Sequence, residues 1–380
     1  TLISLMFTLH IDTSRTWRGG QNQVLLTVLG LRKRGHRTAL VMRSDSELSQ
    51  RSPDHADNFS LNPRMESDIQ AGWRLSKLLQ SLRPNIVHAH DAHAVSIALI
   101  ARLLTPKHHR LPVVASRRVD FHVGHNVFSR WKYAQVDHFL CASLAIHNIL
   151  IEDGVHTERV TVVHEGIDLD RIDNSPFLDL HEEFSLPVGC PVIGNVAALV
   201  PHKGQACLIE AARQVLKEVP EARFLIVGTG ELEEILRHQI HSLNLERQVI
   251  LTGFRNDVLS ILKSLDIFAM SSLTEGLGTS VLDAMAAHQA VVATRAGGIP
   301  ESVVDGETGF LTSVGDANSM SRAIVSLLKD SDRRQAFGKA GRQRAQEFFN
   351  DGRMVERTTD VYAAQVDTTH ATDKGHHDEK

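Results

Sequence analysis

Two carboxylates, Glu275 and Asp283, bracket the run EGLGTSVLD, in which Gly276, Leu277, Gly278 and Thr279 lie between an apolar DIFAM and a helical pattern. The order predicts a strand ending at Met270, a tight loop, and a helix that begins near Thr279 or Ser280 with Asp283 in its first turn. Free N–H groups and the dipole at such a helix start attract a phosphate, and the glycines let backbone approach it. Carboxylates on either side suit sugar hydroxyls. A strand–loop–helix corner with an ordinary capped helix has the same spacing, so spacing alone does not choose between them.

Histidines form the second cluster. His90 closes NIVHAH at the carboxyl end of a predicted strand, where ligands of open α/β sheets gather. HAHDAH also raises a metal site of His88, His90 and His93, but His88 and His90 share one strand face and His93 falls after the strand ends, so no metal is expected. Gly19 and Gly20 follow the first strand and open a helix, which by itself indicates a tight turn. The segment 116–134 mixes Arg117, Arg118, Arg130 and Lys132 with Phe121, Phe128 and Trp131. It suits either a helix with its aromatics in the core or a surface that docks on an anionic bilayer or a lipid-linked acceptor.

The elements that must hold these residues read as two α/β units. Short apolar runs alternate with amphipathic helices, the form of βαβ units with parallel sheets. The opening TLISLMFTLHID predicts a buried first strand centred on ISLMF; TALVM, NIVHAH, PVVAS, HFLCAS and VTVVHEG follow. A polar, proline-bearing stretch between Asp168 and Pro191 reads as the linker. Strands at 192–197, 224–228, 249–253, 266–270 and 290–294 then build a second unit. The expected domains are residues 1–170 and 171–352, with a helix over about 353–365 crossing back to the first and residues 366–380 a disordered tail.

Composition narrows the classes. A chain of 380 residues suits two domains, and its net charge of −4 gives no reason to expect nucleic acid. Cys141, Cys190 and Cys207 are odd in number and lack CxxC spacing, which argues against a disulfide framework or zinc and for a reducing cytoplasm. No apolar stretch reaches membrane-spanning length, so any membrane contact is expected to be peripheral, at the inner face.

Glu275, seven residues and a second acid resemble the signature of the GT4 family of retaining glycosyltransferases. The resemblance spans nearly the whole chain in the family's order: the Gly19-Gly20 loop and its helix, PNIVHAH, GID at 166–168, PHKGQ at 201–205, VGTGE at 227–231, LTGF at 251–254 and AGGIPESVVDGETGFL at 297–311. It implies a GT-B fold of two facing Rossmann-like domains with a deep cleft, and transfer of a sugar from a nucleotide-diphosphate sugar to a glycan or lipid-linked acceptor, in polysaccharide or lipopolysaccharide assembly, without cofactor or metal. By that resemblance Glu275 holds the donor sugar, the amides of Gly276 to Thr279 hold sugar and distal phosphate, and Asp283 takes the ribose hydroxyls, although the family usually has Glu there. Lys203 meets the leaving diphosphate, His90 reaches the sugar near the reacting centre, Gly19 and Gly20 approach the diphosphate or shape the acceptor site, Gly228 and Gly230 border the nucleotide, and Phe254 and Arg255 lie where backbone holds the base. The family commonly has an Arg where this chain has Ala198; His202 and Arg255 are candidates to replace it, and a non-catalytic homologue is the alternative. Nonhydrolysing sugar-nucleotide epimerases share the two-domain plan but lack the Glu275 loop pattern.

Overall fold

A computed structural model describes residues 5–106, 110–123 and 127–375. The chain forms two compact units, residues 1–166 with 351–380, and residues 167–350. The first is built on seven parallel strands: β1 Phe7–Asp12, β2 Arg37–Met42, β3 Asn58–Ser60, β4 Ile86–Ala89, β5 Val113–Arg117, β6 His138–Cys141 and β7 Val160–Val162, in the order β3-β2-β1-β4-β5-β6-β7. The second has six: β8 Val192–Val196, β9 Arg223–Val227, β10 Val249–Gly253, β11 Ile267–Met270, β12 Ala290–Thr294 and β13 Gly309–Thr312, in the order β10-β9-β8-β11-β12-β13. Every strand pairing is parallel, so each connection needs a crossover, which the intervening helices supply. These helices start where short polar side chains accept the orphan amides: Asp68 from Ala71, Asp91 from Ala94, Ser143 from Ile146 and Asp316 from Ser319.

The first strand lies further along than its apolar run. It is Phe7–Asp12, not ISLMF, and residues 1–4 lie outside the described residues. Thr8, His10 and Asp12 are buried on one of its faces, Leu9 and Ile11 on the other, so a polar alternation inside the sheet hid the strand. Two strands have no counterpart in the sequence reading. Both are edge strands without a long apolar run: β3 is the three-residue NFS, and β13 is GFLT.

The supposed linker belongs to the second unit. Helices Leu169–Asp173 and Leu180–Glu183 lie within it, tied down by Lys263 Nζ to the carbonyls of Asp173 (3.1 Å) and Ser175 (2.5 Å) and by the Arg342–Asp173 ion pair at 2.7 Å. The chain passes between units at Gly166–Ile167 and again at Asn350–Asp351. It returns as one helix, Asp351–Gly375, whose Met354, Val355, Val361 and Tyr362 complete the first unit's core with Met6 and Leu31. The helix continues through residues expected to be a disordered tail, because Val366 still packs on that core and Gln365 reaches His138 Nδ1 at 3.3 Å; residues 376–380 lie outside the described residues.

Gly166 marks the tightest point of the return. A Cβ there would lie 2.6 Å from Asp351 Cα and 3.0 Å from its nitrogen, and neither backbone atom can yield as a side chain does. Gly166→Ala should therefore destabilise the protein by about 1–3 kcal/mol, read as a lower urea midpoint of the transition reported by tryptophan fluorescence, since Trp17, Trp73 and Trp131 all lie in the first unit.

Candidate active site

In the second unit the loops leaving β8 and β11 are stitched together. The turn Pro201–Lys203 ends at Gly204, where φ is 63° and a Cβ would meet Ser271 O at 2.3 Å, so only glycine fits. Ser271 Oγ donates to Lys203 O (3.1 Å) and Leu273 N to His202 O (2.8 Å). This brings Lys203 Nζ to 2.5 Å from Glu275 Oε2, which also accepts from Ser272 Oγ at 3.0 Å. Both partners are mostly shielded from solvent. Gly276, Leu277 and Gly278 are buried, and Gly278, at φ 86°, turns the chain into the helix Thr279–Ala286.

That helix has no side-chain cap and no acid in its first turn. The Gly278 carbonyl takes the amides of Val281 and Leu282; those of Thr279 and Ser280 have no acceptor among the described residues. The helix starts at Thr279, as expected; Asp283, its fifth residue, falls just past the first turn, and the i,i+4 relation puts it on the face of Thr279. The loops after β8 and β9 are equally close. A Cβ on Gly228 (φ 141°) would stand 2.1 Å from Ala197 O, and one on Gly230 2.3 Å from Leu199 O. Phe254 is 58% exposed beside them. Arg255 is committed elsewhere, forming two bonds with Asp257 (2.8 and 2.6 Å) and one with Glu183 (2.6 Å), so it does not replace the cation missing at Ala198.

In the first unit, Gly19 and Gly20 begin the helix Gly19–Lys33, and a Cβ on Gly20 would lie 3.8 Å from Arg118 Cδ. His90 follows β4 and is only 6% exposed. Its Nε2 is 3.0 Å from His10 Nδ1, and its Nδ1 is 3.3 Å from an Arg118 amino group. His10 Nε2 meets Thr8 Oγ1 at 2.9 Å; His88 meets Tyr362 OH at 2.5 Å and Ser116 Oγ at 2.8 Å. Arg118 is balanced by Glu165 at 3.3 Å. His10, His88 and His90 are close enough to hold a metal ion, but each of their ring nitrogens already has a hydrogen-bond partner, and a cation would sit beside the Arg118 charge. His93, the third histidine of HAHDAH, is exposed and outside this group.

Burial lowers the pKa of all three imidazoles, and Arg118 adds to the effect; His10 falls to about 3. Asp12 moves the other way, to about 6, through burial and the neighbouring Asp91 charge, against Gln21 Nε2 and Ser14 N, which donate to it. Sequence reasoning missed His10, Asp12, Arg118, Glu165 and Tyr362. The visible signal was the polar alternation Thr8, His10, Asp12 in an otherwise apolar strand. The basic and aromatic segment divides: Arg117 and Lys132 are buried, the latter against Glu66, and Arg118 turns to the histidines, whereas Phe121, Arg130 and Trp131 are exposed; the side chain of Phe128 lies outside the described residues.

Two family models match the chain: Glycosyltransferase Family 4 over residues 17–171 and Glycosyl transferases group 1 over residues 178–344. The chain belongs to the GT4-type glycosyltransferases. It is 27% identical to the UDP-Gal:alpha-D-GlcNAc-diphosphoundecaprenol alpha-1,3-galactosyltransferase of Escherichia coli, over 83% of each chain. It is 24% identical to the capsular polysaccharide biosynthesis glycosyltransferase CapM of Staphylococcus aureus, over 87% of this chain and 91% of that one. Among solved structures, Anabaena HepE in complex with UDP-glucose superposes with a TM-score of 0.80 at 21% identity, covering 94% of this chain and all of the other. The two parallel-sheet units of this glycosyltransferase are thus those of the GT-B fold.

The buried titratable groups set the acid stability of the first unit. His10, with its pKa depressed from 6.5, contributes stability that is present above pH 6.5 and is lost as pH falls toward 3; His88 and His90 act in the same direction. Asp12, raised from 3.8 to about 6, contributes stability present below 3.8 and lost as pH rises through 6. Within this cluster three groups oppose one, and His36 and His138, also lowered by burial, act with the three, so stability should fall on acidification below about pH 6.5. Urea midpoints from pH 4.5 to 7 should show a shallower slope in His10→Asn and a steeper one in Asp12→Asn, each by up to about 1.4 kcal/mol per pH unit; unchanged slopes would mean that these groups titrate normally.

Proposed function

We propose that this glycosyltransferase transfers a sugar from a nucleotide-diphosphate sugar to a hydroxyl of a glycan or lipid-linked acceptor, with retention at the anomeric carbon and without a metal. The observation that carries the reading is the Lys203–Glu275 pair, 2.5 Å apart, beside a helix start whose leading amides have no acceptor among the described residues. A diphosphate satisfies both features, taking the Lys203 cation and the free amides, and it releases the Glu275 carboxylate to accept from the sugar hydroxyls. The diphosphate oxygen that departs takes the acceptor hydroxyl's proton on the same face, so no covalent protein nucleophile is required. Asp283, on the Thr279 face one turn deeper, receives the ribose.

The similar proteins suggest where to begin. One is named for UDP-galactose and a diphosphoundecaprenol acceptor, and another was solved with UDP-glucose, so uridine diphosphate sugars and polyprenyl-linked glycans are the first donor and acceptor to try. No helix among the described residues is long and apolar enough to cross a membrane, so a lipid-linked acceptor would be met from the surface, with Phe121, Arg130 and Trp131 as exposed contacts. A second reading, a binder without turnover, is favoured by Ala198 and by the engagement of Arg255 elsewhere, which leave Lys203 and the helix amides to stabilise the leaving group.

A thermal-shift panel of UDP, GDP and ADP with their sugar conjugates, followed by acceptor-dependent release of nucleotide, separates these readings; about 2.7 kcal/mol of stabilisation is expected at a hundredfold excess over Kd. Lys203→Ala should weaken nucleoside diphosphate binding by about 1.5–3 kcal/mol, the worth of a hydrogen bond to a charged group. Glu275→Ala should lower kcat by about 100-fold or more without weakening nucleotide affinity, since it removes a sugar contact and leaves Lys203 free for the diphosphate. Equal loss of both in Glu275→Ala would refute the assignment of Glu275 to the sugar.

A further inference from the structure

Arg118 belongs by sequence to a basic and aromatic segment, yet its side chain is 17% exposed and turned onto the histidines. It spans two groups of His90: one amino group faces the carbonyl oxygen at 3.4 Å and the other faces ring Nδ1 at 3.3 Å. Glu165, 3.3 Å from Arg118 Nε, holds the guanidinium in place.

A guanidinium only donates. His90 Nδ1 is therefore the acceptor, and because this buried ring is neutral its single proton is on Nε2. That proton points at His10 Nδ1, 3.0 Å away, which must accept, so the proton of neutral His10 is on its Nε2 and is donated to Thr8 Oγ1 at 2.9 Å. Thr8 could serve either direction, since a hydroxyl rotates to donate or accept. Only the arginine end fixes the order. His88 lies outside this chain and bonds to two hydroxyls, Tyr362 and Ser116, so its own tautomer is not dictated in the same way.

We infer that Arg118 is a positioning residue for His90, fixing its ring proton on Nε2 and with it the direction of the hydrogen-bond chain Arg118, His90, His10, Thr8. The consequence for transfer rests on the reading that His90 meets the donor sugar. Both ring nitrogens are taken up by His10 and Arg118, so what the fixed tautomer supplies is a ring held in one orientation beside the sugar, needing no rearrangement in the transition state. Without Arg118 both tautomers become accessible, and part of the population loses the bond to His10 that orients the ring.

Long-range 15N spectra of the histidine rings report which nitrogen is protonated; the His90 and His10 signals are assigned by their loss in His90→Asn and His10→Asn. The wild type should show Nε2–H at both. Arg118→Met should bring the Nδ1 and Nε2 shifts of His90 toward each other as tautomers mix, and Arg118→Lys, which restores a donor, should return them. Thr8→Val should leave His90 unchanged, because the fixed end remains. Turnover should follow the same order, with kcat reduced by about tenfold in Arg118→Met at a nearly constant donor KM and recovered in Arg118→Lys. His90 protonated on Nδ1 in the wild type, or an unchanged tautomer in a folded Arg118→Met, overturns the inference. Should Arg118→Met fail to fold, the wild-type and Thr8→Val spectra still decide it. The spectra need no substrate, so failure of the glycosyltransferase reading would leave them untouched and be seen separately.

Discussion

A parallel sheet whose strand order reverses leaves adjacent loops running to opposite faces, and the space between their ends is the natural place for a ligand. Both units depend on this constraint. In the first the reversal falls between β1 and β4, and the residues at or just beyond their carboxyl ends are Asp12 and His90. In the second it falls between β8 and β11, whose following loops supply Lys203 and Glu275. The glycines are explained by the same geometry. Gly204 allows the loop after β8 to lie against the end of β11, and Gly228 allows the loop after β9 to lie against that after β8, at distances where a Cβ would strike a carbonyl oxygen.

Placing imidazoles inside a sheet has a structural cost that the rest of the first unit must offset. A buried polar ring without partners is strongly destabilising, and one strand with its neighbour cannot supply every partner. The C-terminal helix provides what is missing. Tyr362 brings a hydroxyl to His88 from the far end of the chain, while Val355 and Val361 of the same helix cover the apolar part of the sheet. The return at Asn350–Asp351 is thus part of the site's support, since without it His88 would lack one of its two partners.

The legible part of the sequence was whatever repeats with a clear period. Apolar strands such as TALVM and AVVAT, and the glycine loops after them, fell where expected because a buried parallel strand admits little else. The first strand was misplaced because Thr8, His10 and Asp12 interrupt its apolar run while being as buried as its leucine. Asp168 to Pro191 read as a linker for a similar reason: what fixes it is ion pairing and carbonyl capture by Lys263 and Arg342, far away in sequence. Arg118 read as surface because an arginine among aromatics usually is, and its partners Glu165 and His90 adjoin it only through the fold. Local pattern reveals periodic burial; it does not reveal a polar residue buried by partners from other elements.

The pairing of Lys203 with Glu275 follows from what the site lacks. A lysine and a glutamate held 2.5 Å apart and mostly shielded from solvent compensate each other, and an uncompensated charge at either position would be costly. In the proposed function a dianionic ligand replaces the carboxylate as partner of the lysine, so the exchange would keep the cation paired throughout. The carboxylate is released toward hydroxyl donors, which it needs once the lysine has turned away. With alanine at position 198 and Arg255 bound to Asp257 and Glu183, no second arginine from these loops shares the anionic charge. The helix amides at Thr279 and Ser280 then carry a larger part of it, and the buried glycines before them keep that approach open. On that proposal electrostatic stabilisation in this unit is divided between one side-chain cation and a backbone terminus, whose start depends on the left-handed turn at Gly278.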